Sequence, residues 1–161
     1  MYNKLMAEKK RPGWWKRILY ALLIAIAGFI LLNITFILYA LFFNLFRLFM
    51  PNELPVEYRW LLILRHLLFM VIIGLISWPV LLSRIKPIFK AIYLMVPLAT
   101  VFVTTGILLY EWPVLAYIIS ILIISGLLLY LWCTHRPWFY HYAVILVATG
   151  LLVFNLMGGE I

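Results

Sequence analysis

The sequence predicts an all-α integral membrane protein, a bundle of about five transmembrane helices with a cytoplasmic N-terminus and an external C-terminus. The first observation behind this is composition, because 68% of the 161 residues are hydrophobic and only 11% are charged. Soluble domains carry roughly 25% charged residues. The second is that the apolar residues form separate runs long enough to cross a bilayer. Lipid is therefore expected to solvate most of the surface, and no separate soluble domain is predicted.

The first element is a basic segment over residues 1–17, which carries six of the 13 Lys and Arg residues. We expect it to be cytoplasmic and to lead into an uncleaved span over about 18–43, because this apolar run is too long for a signal-peptide core. Apolar character continues beyond this run to Met50. We expect this tail to tilt or to lie along the outer interface.

Four further spans complete one transmembrane domain over residues 18–161. They are predicted at about 60–82, 91–109, 114–133 and 139–157. Every separator between spans contains proline, as expected where a helix should stop. The seven tryptophans all lie at or near predicted boundaries, which is typical of aromatic belts at the two membrane surfaces.

The basic residues are distributed unevenly between the two sides of this arrangement. With the N-terminus inside, ten of the 13 Lys and Arg residues are cytoplasmic and four of the five Glu residues are external. The positive-inside rule therefore predicts the N-in, C-out orientation, which we assign to a bacterial plasma membrane. The net charge of +8 is explained by the excess of basic residues on the cytoplasmic side of the membrane. No nucleic-acid partner is therefore predicted.

Residues suited to catalysis or metal binding are scarce. The chain has no Asp, and none of its Glu residues falls in a predicted span, which argues against proton-coupled transport and carboxylate chemistry. Cys133 is the only cysteine. The positions of His66, His135 and His141 do not match a metal-binding spacing or a pair of haem ligands. We predict no catalytic residue, no metal site and no cofactor.

The most polar position within a span is the Arg65–His66 pair, near the start of the second span. Arginine binds phosphate through two donors, and histidine can donate or transfer a proton. The candidate headgroup-binding residues are Arg47, Arg59, Arg65 and His66. In the alternative interpretation, these cations pair with Glu53, Glu57 and lipid phosphates and only anchor the helix ends.

Two prolines, Pro79 and Pro97, fall inside the second and third spans at similar depth. Each removes a backbone hydrogen bond and leaves a carbonyl one turn earlier without its usual partner. They are candidate hinge residues, and the alternative is that each forms a fixed kink within the bundle.

These features favour a noncatalytic membrane subunit or accessory protein. Its expected partners are membrane lipids and either another, larger membrane protein or further copies of the chain. One alternative is a lipid-handling protein, enzymatic or flippase-like, that recognises an anionic headgroup at the outer leaflet. The other is an oligomeric transporter or channel for a small solute.

Overall fold

The computed structural model describes residues 13–48 and 59–157 and folds them into five α-helices joined by turns. The helices are α1 (Trp14–Leu48), α2 (Arg59–Leu82), α3 (Pro87–Leu108), α4 (Pro113–Cys133) and α5 (Trp138–Leu156). All five contain a stretch long and apolar enough to cross a membrane. The predicted all-α class is confirmed, the number of long apolar helices equals the number of predicted spans, and the chain fits an integral membrane protein.

The later helices begin at prolines. Pro87 and Pro113 are the first residues of α3 and α4, and Pro137 directly precedes α5. Proline suits this position because the N–H that it lacks would have no partner within the helix. α3 therefore starts at Pro87 rather than at the predicted residue 91, which brings Lys90 into its first turn. The short turns between α2 and α5 make successive helices antiparallel, so the α2–α3 and α3–α4 connections lie at opposite ends of the bundle.

α1 differs most from its predicted bounds. It is 35 residues long, about 52 Å at 1.5 Å per residue, whereas the hydrocarbon core of a bilayer is about 30 Å thick. It begins at Trp14, within the segment expected to precede the span, and continues to Leu48. No proline lies between these residues, so nothing ends the helix at residue 43. Up to Leu48, the apolar tail is therefore a continuation of α1 rather than a separate element.

α3 is the central helix of the bundle. The other four helices all pack against it, and more than half of its most apolar stretch is buried. α4 is peripheral and buries only Leu131. The main core cluster joins α1, α3, α4 and α5 through Ile24, Ala91, Ile92, Met95, Leu98, Ala99, Phe102, Leu131, Tyr140, Ala143, Val144 and Val147.

Small residues allow the helices in this core to approach closely. A methyl group added to Gly28 of α1 would overlap the side chain of Met95 on α3. Ala91 is fully buried, and Ala143 is 1% exposed. This pattern is expected of membrane helices, whose association depends on van der Waals packing because lipid tails are as apolar as the side chains themselves.

The exposed surface also fits a lipid environment. All seven tryptophans lie near helix ends, and each is between 38% and 75% exposed. They are Trp14, Trp15, Trp60, Trp78, Trp112, Trp132 and Trp138. Many Leu, Ile and Phe side chains between these ends are exposed as well. Monomeric soluble proteins rarely expose an apolar surface of this extent.

α4 ends in a Schellman turn centred on His135. This residue has a φ of 50°, in the left-handed region that is normally occupied by glycine. The Arg136 N–H donates to the Leu131 carbonyl, and the His135 N–H donates to the Trp132 carbonyl, both at 3.0 Å. These are the two hydrogen bonds that define the motif.

Replacing His135 by glycine should stabilise the protein by about 1 kcal/mol, because the left-handed conformation costs a residue with a Cβ atom about that much. The measurement is the midpoint of reversible unfolding in mixed micelles. His135→Ala is the matched control and should give no such gain, since alanine keeps the Cβ atom. An equal gain in both variants would show that the imidazole, and not the backbone, is responsible.

Candidate anion-binding site

The structure places two of the four candidate headgroup-binding residues between α1 and α2. Arg65 and His66 lie in the second turn of α2 and contact side chains of α1. Arg47 lies in the last turn of α1, and its side chain is exposed. Arg59 is the first residue of α2, but its side chain lies outside the described part of the chain. The site is therefore built from Arg65, His66 and their neighbours on α1.

Arg65 occupies a position that faces the bundle. The buried residues of α2 recur every four positions as Leu61, Arg65, Phe69, Ile73 and Ser77, each 4–6% exposed. A spacing of four residues keeps side chains on one helix face. The cationic Arg65 therefore occupies a position at which the four-residue pattern of α2 predicts a core residue.

The guanidinium of Arg65 packs over an aromatic ring of α1. Its Cζ lies 4.1 Å from the ring centroid of Phe43 on α1, a cation–π contact. Its Nε is buried and donates no hydrogen bond to any described residue. The acidic residues of the predicted alternative, Glu53 and Glu57, lie within 49–58, outside the described residues. A buried cationic donor without an acceptor is costly, so an anion at this position would stabilise it.

His66 completes the site together with Tyr39 of α1. The Tyr39 hydroxyl lies 2.8 Å from His66 Nε2, and both side chains are half-buried. Their rings are stacked with centroids 4.8 Å apart, and Phe69 packs edge-on against Tyr39 at 5.1 Å. These contacts fix the register of α1 against α2 at the level of the buried cation.

The arrangement combines one cation with two uncharged groups that can donate or accept hydrogen bonds. Arginine offers a planar fork of donors that matches carboxylate and phosphate oxygens. Arg65 lies six residues after the start of α2, about 9 Å along the helix, a depth from which arginine reaches the headgroup region. Chemically, the site suits an oxyanion that approaches from the nearby membrane surface.

Sequence reasoning missed Tyr39 and Phe43, which form the α1 side of this site. Their spacing of four residues places them on one helix face, and this was the available signal. Their pairing with Arg65 and His66 also depends on how α1 is aligned against α2. Periodicity within one helix carries no information on that alignment.

The two candidate hinge prolines lie inside continuous helices, Pro79 in α2 and Pro97 in α3. α2 is tied to α3 on both sides of Pro79. The Ser77 hydroxyl lies 3.4 Å from that of Tyr93, and Lys90 Nζ donates to the Leu81 carbonyl at 2.6 Å. These contacts hold the end of α2, while motion at the two prolines stays a prediction.

Within residues 13–48 and 59–157, no three His, Cys, Asp or Glu residues form a group that could hold a metal ion. Comparison of the chain with protein-family models, with curated proteins and with solved structures finds no match.

Proposed function

We propose that the protein is a noncatalytic integral membrane protein that binds the anionic headgroup of a lipid between α1 and α2. One observation carries the proposal: Arg65 is 6% exposed, and its Nε donates to no described residue. Ionisable side chains within membrane spans are expensive and are usually kept for a function. A lipid phosphate at this depth would supply the acceptor that Arg65 Nε lacks among the described residues.

The lack of acidic residues in the spans supports the proposal that the acceptor for Arg65 comes from outside the helices. No Asp occurs in the chain, and α2 itself contains no carboxylate. Tyr39 and His66 lie beside the guanidinium and would hydrogen-bond the remaining headgroup oxygens. Because a phosphate has more acceptor oxygens than a carboxylate for these three side chains, the proposed ligand class is an anionic phospholipid.

Binding of phosphatidylglycerol to the purified protein in phosphatidylcholine nanodiscs tests this proposal. Arg65→Gln should weaken binding about 30-fold or more, because truncating one partner of a buried charge pair costs about 2 kcal/mol or more. The matched control is Arg84→Gln, which removes an exposed cation from the turn after α2 and should change binding little. Native mass spectrometry of retained lipid gives the affinity.

Unchanged phosphatidylglycerol binding in Arg65→Gln would contradict the proposal. The anchoring alternative makes a different prediction. If Glu53 and Glu57 neutralise Arg65, the double variant Glu53→Gln/Glu57→Gln should lose stability in neutral lipid. If lipid is the counterion, the same double variant should keep its stability in neutral lipid and bind phosphatidylglycerol at least as tightly as the wild type.

We infer that the protein lies in a bacterial plasma membrane with its N-terminus in the cytoplasm, which places the Arg65 site at the outer leaflet. The asymmetry of Lys and Arg supports this orientation. Cys133 provides a direct test because it is the only cysteine, is exposed and ends α4, on the expected cytoplasmic side.

A membrane-impermeant maleimide should label Cys133 in inverted membrane vesicles and leave it unlabelled in intact cells. Labelling is read by the mass shift of the purified chain, and Cys133→Ser provides the background. The reverse pattern would place the N-terminus outside and the Arg65 site at the cytoplasmic leaflet.

A second candidate function, assembly as a subunit with another membrane protein or with further copies of the chain, is favoured by the outer face of the bundle. Ser125 and Gly126 of α4 and Thr149 and Gly150 of α5 are exposed rather than used for packing within the chain. Small residues of this kind allow close approach of a second helix. A protein that runs alone after mild detergent extraction, with no stoichiometric partner, would contradict this candidate.

A further inference from the structure

A cavity of about 600 Å³ lies between α3, α4 and α5 near the α3–α4 connection. It is separate from the Arg65 site, and its volume falls within the range of about 300–1,000 Å³ for small-molecule sites. Most of its wall is apolar and includes Phe102, Ile124 and Leu152. None of the described side chains that line it carries a charge at neutral pH.

Four polar side chains line this cavity, namely Tyr110, Tyr117, Ser120 and Asn155. Asn155 Nδ2 on α5 donates to the Tyr117 hydroxyl on α4 at 2.8 Å, which leaves the amide oxygen and the phenolic proton for a ligand. Ser120 lines the cavity about one turn further along α4. Its hydroxyl makes no hydrogen bond to the described part of the chain, whereas Thr100 and Thr104 of α3 each donate to a carbonyl one turn earlier.

An unsatisfied hydroxyl is unfavourable at membrane depth, where no water is present to hydrogen-bond it. The Ser120 hydroxyl therefore favours a polar ligand group, for which the Tyr117 hydroxyl and the Asn155 amide oxygen are further partners. Because no charged side chain lines the cavity among the described residues, a charged headgroup of either sign would be desolvated there without compensation. The ligand head must be polar and uncharged.

We propose that this cavity binds a neutral single-chain lipid, with a hydroxyl or ester head against Tyr117, Ser120 and Asn155. Its chain would lie along the apolar wall at Phe102 and Ile124. At about 30 Å³ per molecule of liquid water, the cavity volume corresponds to about 20 water molecules. This volume suits one chain and a small head rather than a phospholipid with two chains. The protein then has two lipid sites of opposite chemistry, one for an anionic head and one for a neutral head.

Photolabelling of the full-length protein in detergent micelles tests this proposal, with 1-oleoylglycerol carrying a diazirine in its chain as the probe. Cross-links are expected on α4 and α5 peptides that line the cavity. Unlabelled 1-oleoylglycerol should displace the probe at a concentration at least tenfold lower than lysophosphatidylglycerol, which has an anionic head. Equal displacement by the two lipids would overturn the assignment of a neutral head.

Two variants and a matched control locate the site. Ala148→Phe fills the cavity and should reduce labelling at least tenfold. Ser120→Ala removes one hydrogen bond and should weaken probe binding about three- to tenfold. Ser125→Ala makes the same chemical change on an exposed part of α4 outside the cavity and should have no effect.

Labelling that survives both Ala148→Phe and Ser120→Ala would overturn the proposal and indicate ordinary contact with bulk lipid. Because Ser120→Ala changes volume little, it decides the question even if Ala148→Phe folds poorly. Arg65→Gln should leave this labelling unchanged, so the neutral-lipid site and the anionic site can fail independently.

Discussion

Replacing Arg65 by methionine is expected to raise the stability of the protein in neutral lipid by about 1–4 kcal/mol, the range by which apolar replacement of buried ion pairs stabilises proteins. Methionine fills a similar volume and removes a buried cation whose Nε has no acceptor among the described residues. The lost cation–π contact with Phe43 offsets part of this gain. The free energy of unfolding in phosphatidylcholine bicelles measures the effect.

The same variant should lose the response to anionic lipid. Adding phosphatidylglycerol is expected to stabilise the wild type by mass action, because the lipid binds the folded site, and to leave Arg65→Met unchanged. Arg84→Met is the control, because the Arg84 side chain is exposed. Loss of stability in Arg65→Met in neutral lipid would show that Arg65 is already neutralised within the protein.

The second large effect is expected in the core. Ala143→Leu should destabilise the protein by about 1–3 kcal/mol, the usual cost of adding methylenes to a filled core. Ala143 is 1% exposed and belongs to the cluster in which α1, α3 and α5 meet, so a larger side chain must separate these helices. The measurement is again the free energy of unfolding in bicelles.

Ala40→Leu is the matched control for this core substitution. Ala40 is exposed on α1, where an added isobutyl group contacts lipid rather than a neighbouring helix. Its effect should lie within about 0.5 kcal/mol of zero. Equal destabilisation by the two substitutions would mean that helix propensity or insertion, and not packing, sets the cost.

Features encoded locally were predictable from the sequence. Runs of apolar residues and the prolines between them predicted five helices. A helix within the membrane satisfies its own backbone hydrogen bonds, and proline interrupts that pattern. The extension of α1 from Trp14 to Leu48 was not predicted, because hydrophobic composition indicates which residues contact lipid and does not indicate where a helix ends. The start of α3 at Pro87 follows the preference of proline for the first helical position, which span prediction by hydrophobicity ignores.

The candidate site was predictable only in part. Arg65 and His66 stood out as polar residues within an apolar span, because polarity at depth is visible in one segment alone. Tyr39 and Phe43 became part of the site through the alignment of α1 against α2. The cavity near Tyr117 and Asn155 likewise depends on how two helices meet, and their separation of 38 positions in the chain leaves no local signal.

The central position of α3 has a consequence for how the protein is made. α3 leaves the ribosome before α4 and α5, yet the face that it buries against α5 includes residues of the main core. That face must contact lipid, the insertion machinery or a chaperone until Val144 and Val147 arrive. The main core therefore cannot form one helix at a time during synthesis. It is complete only when α5 packs against α3.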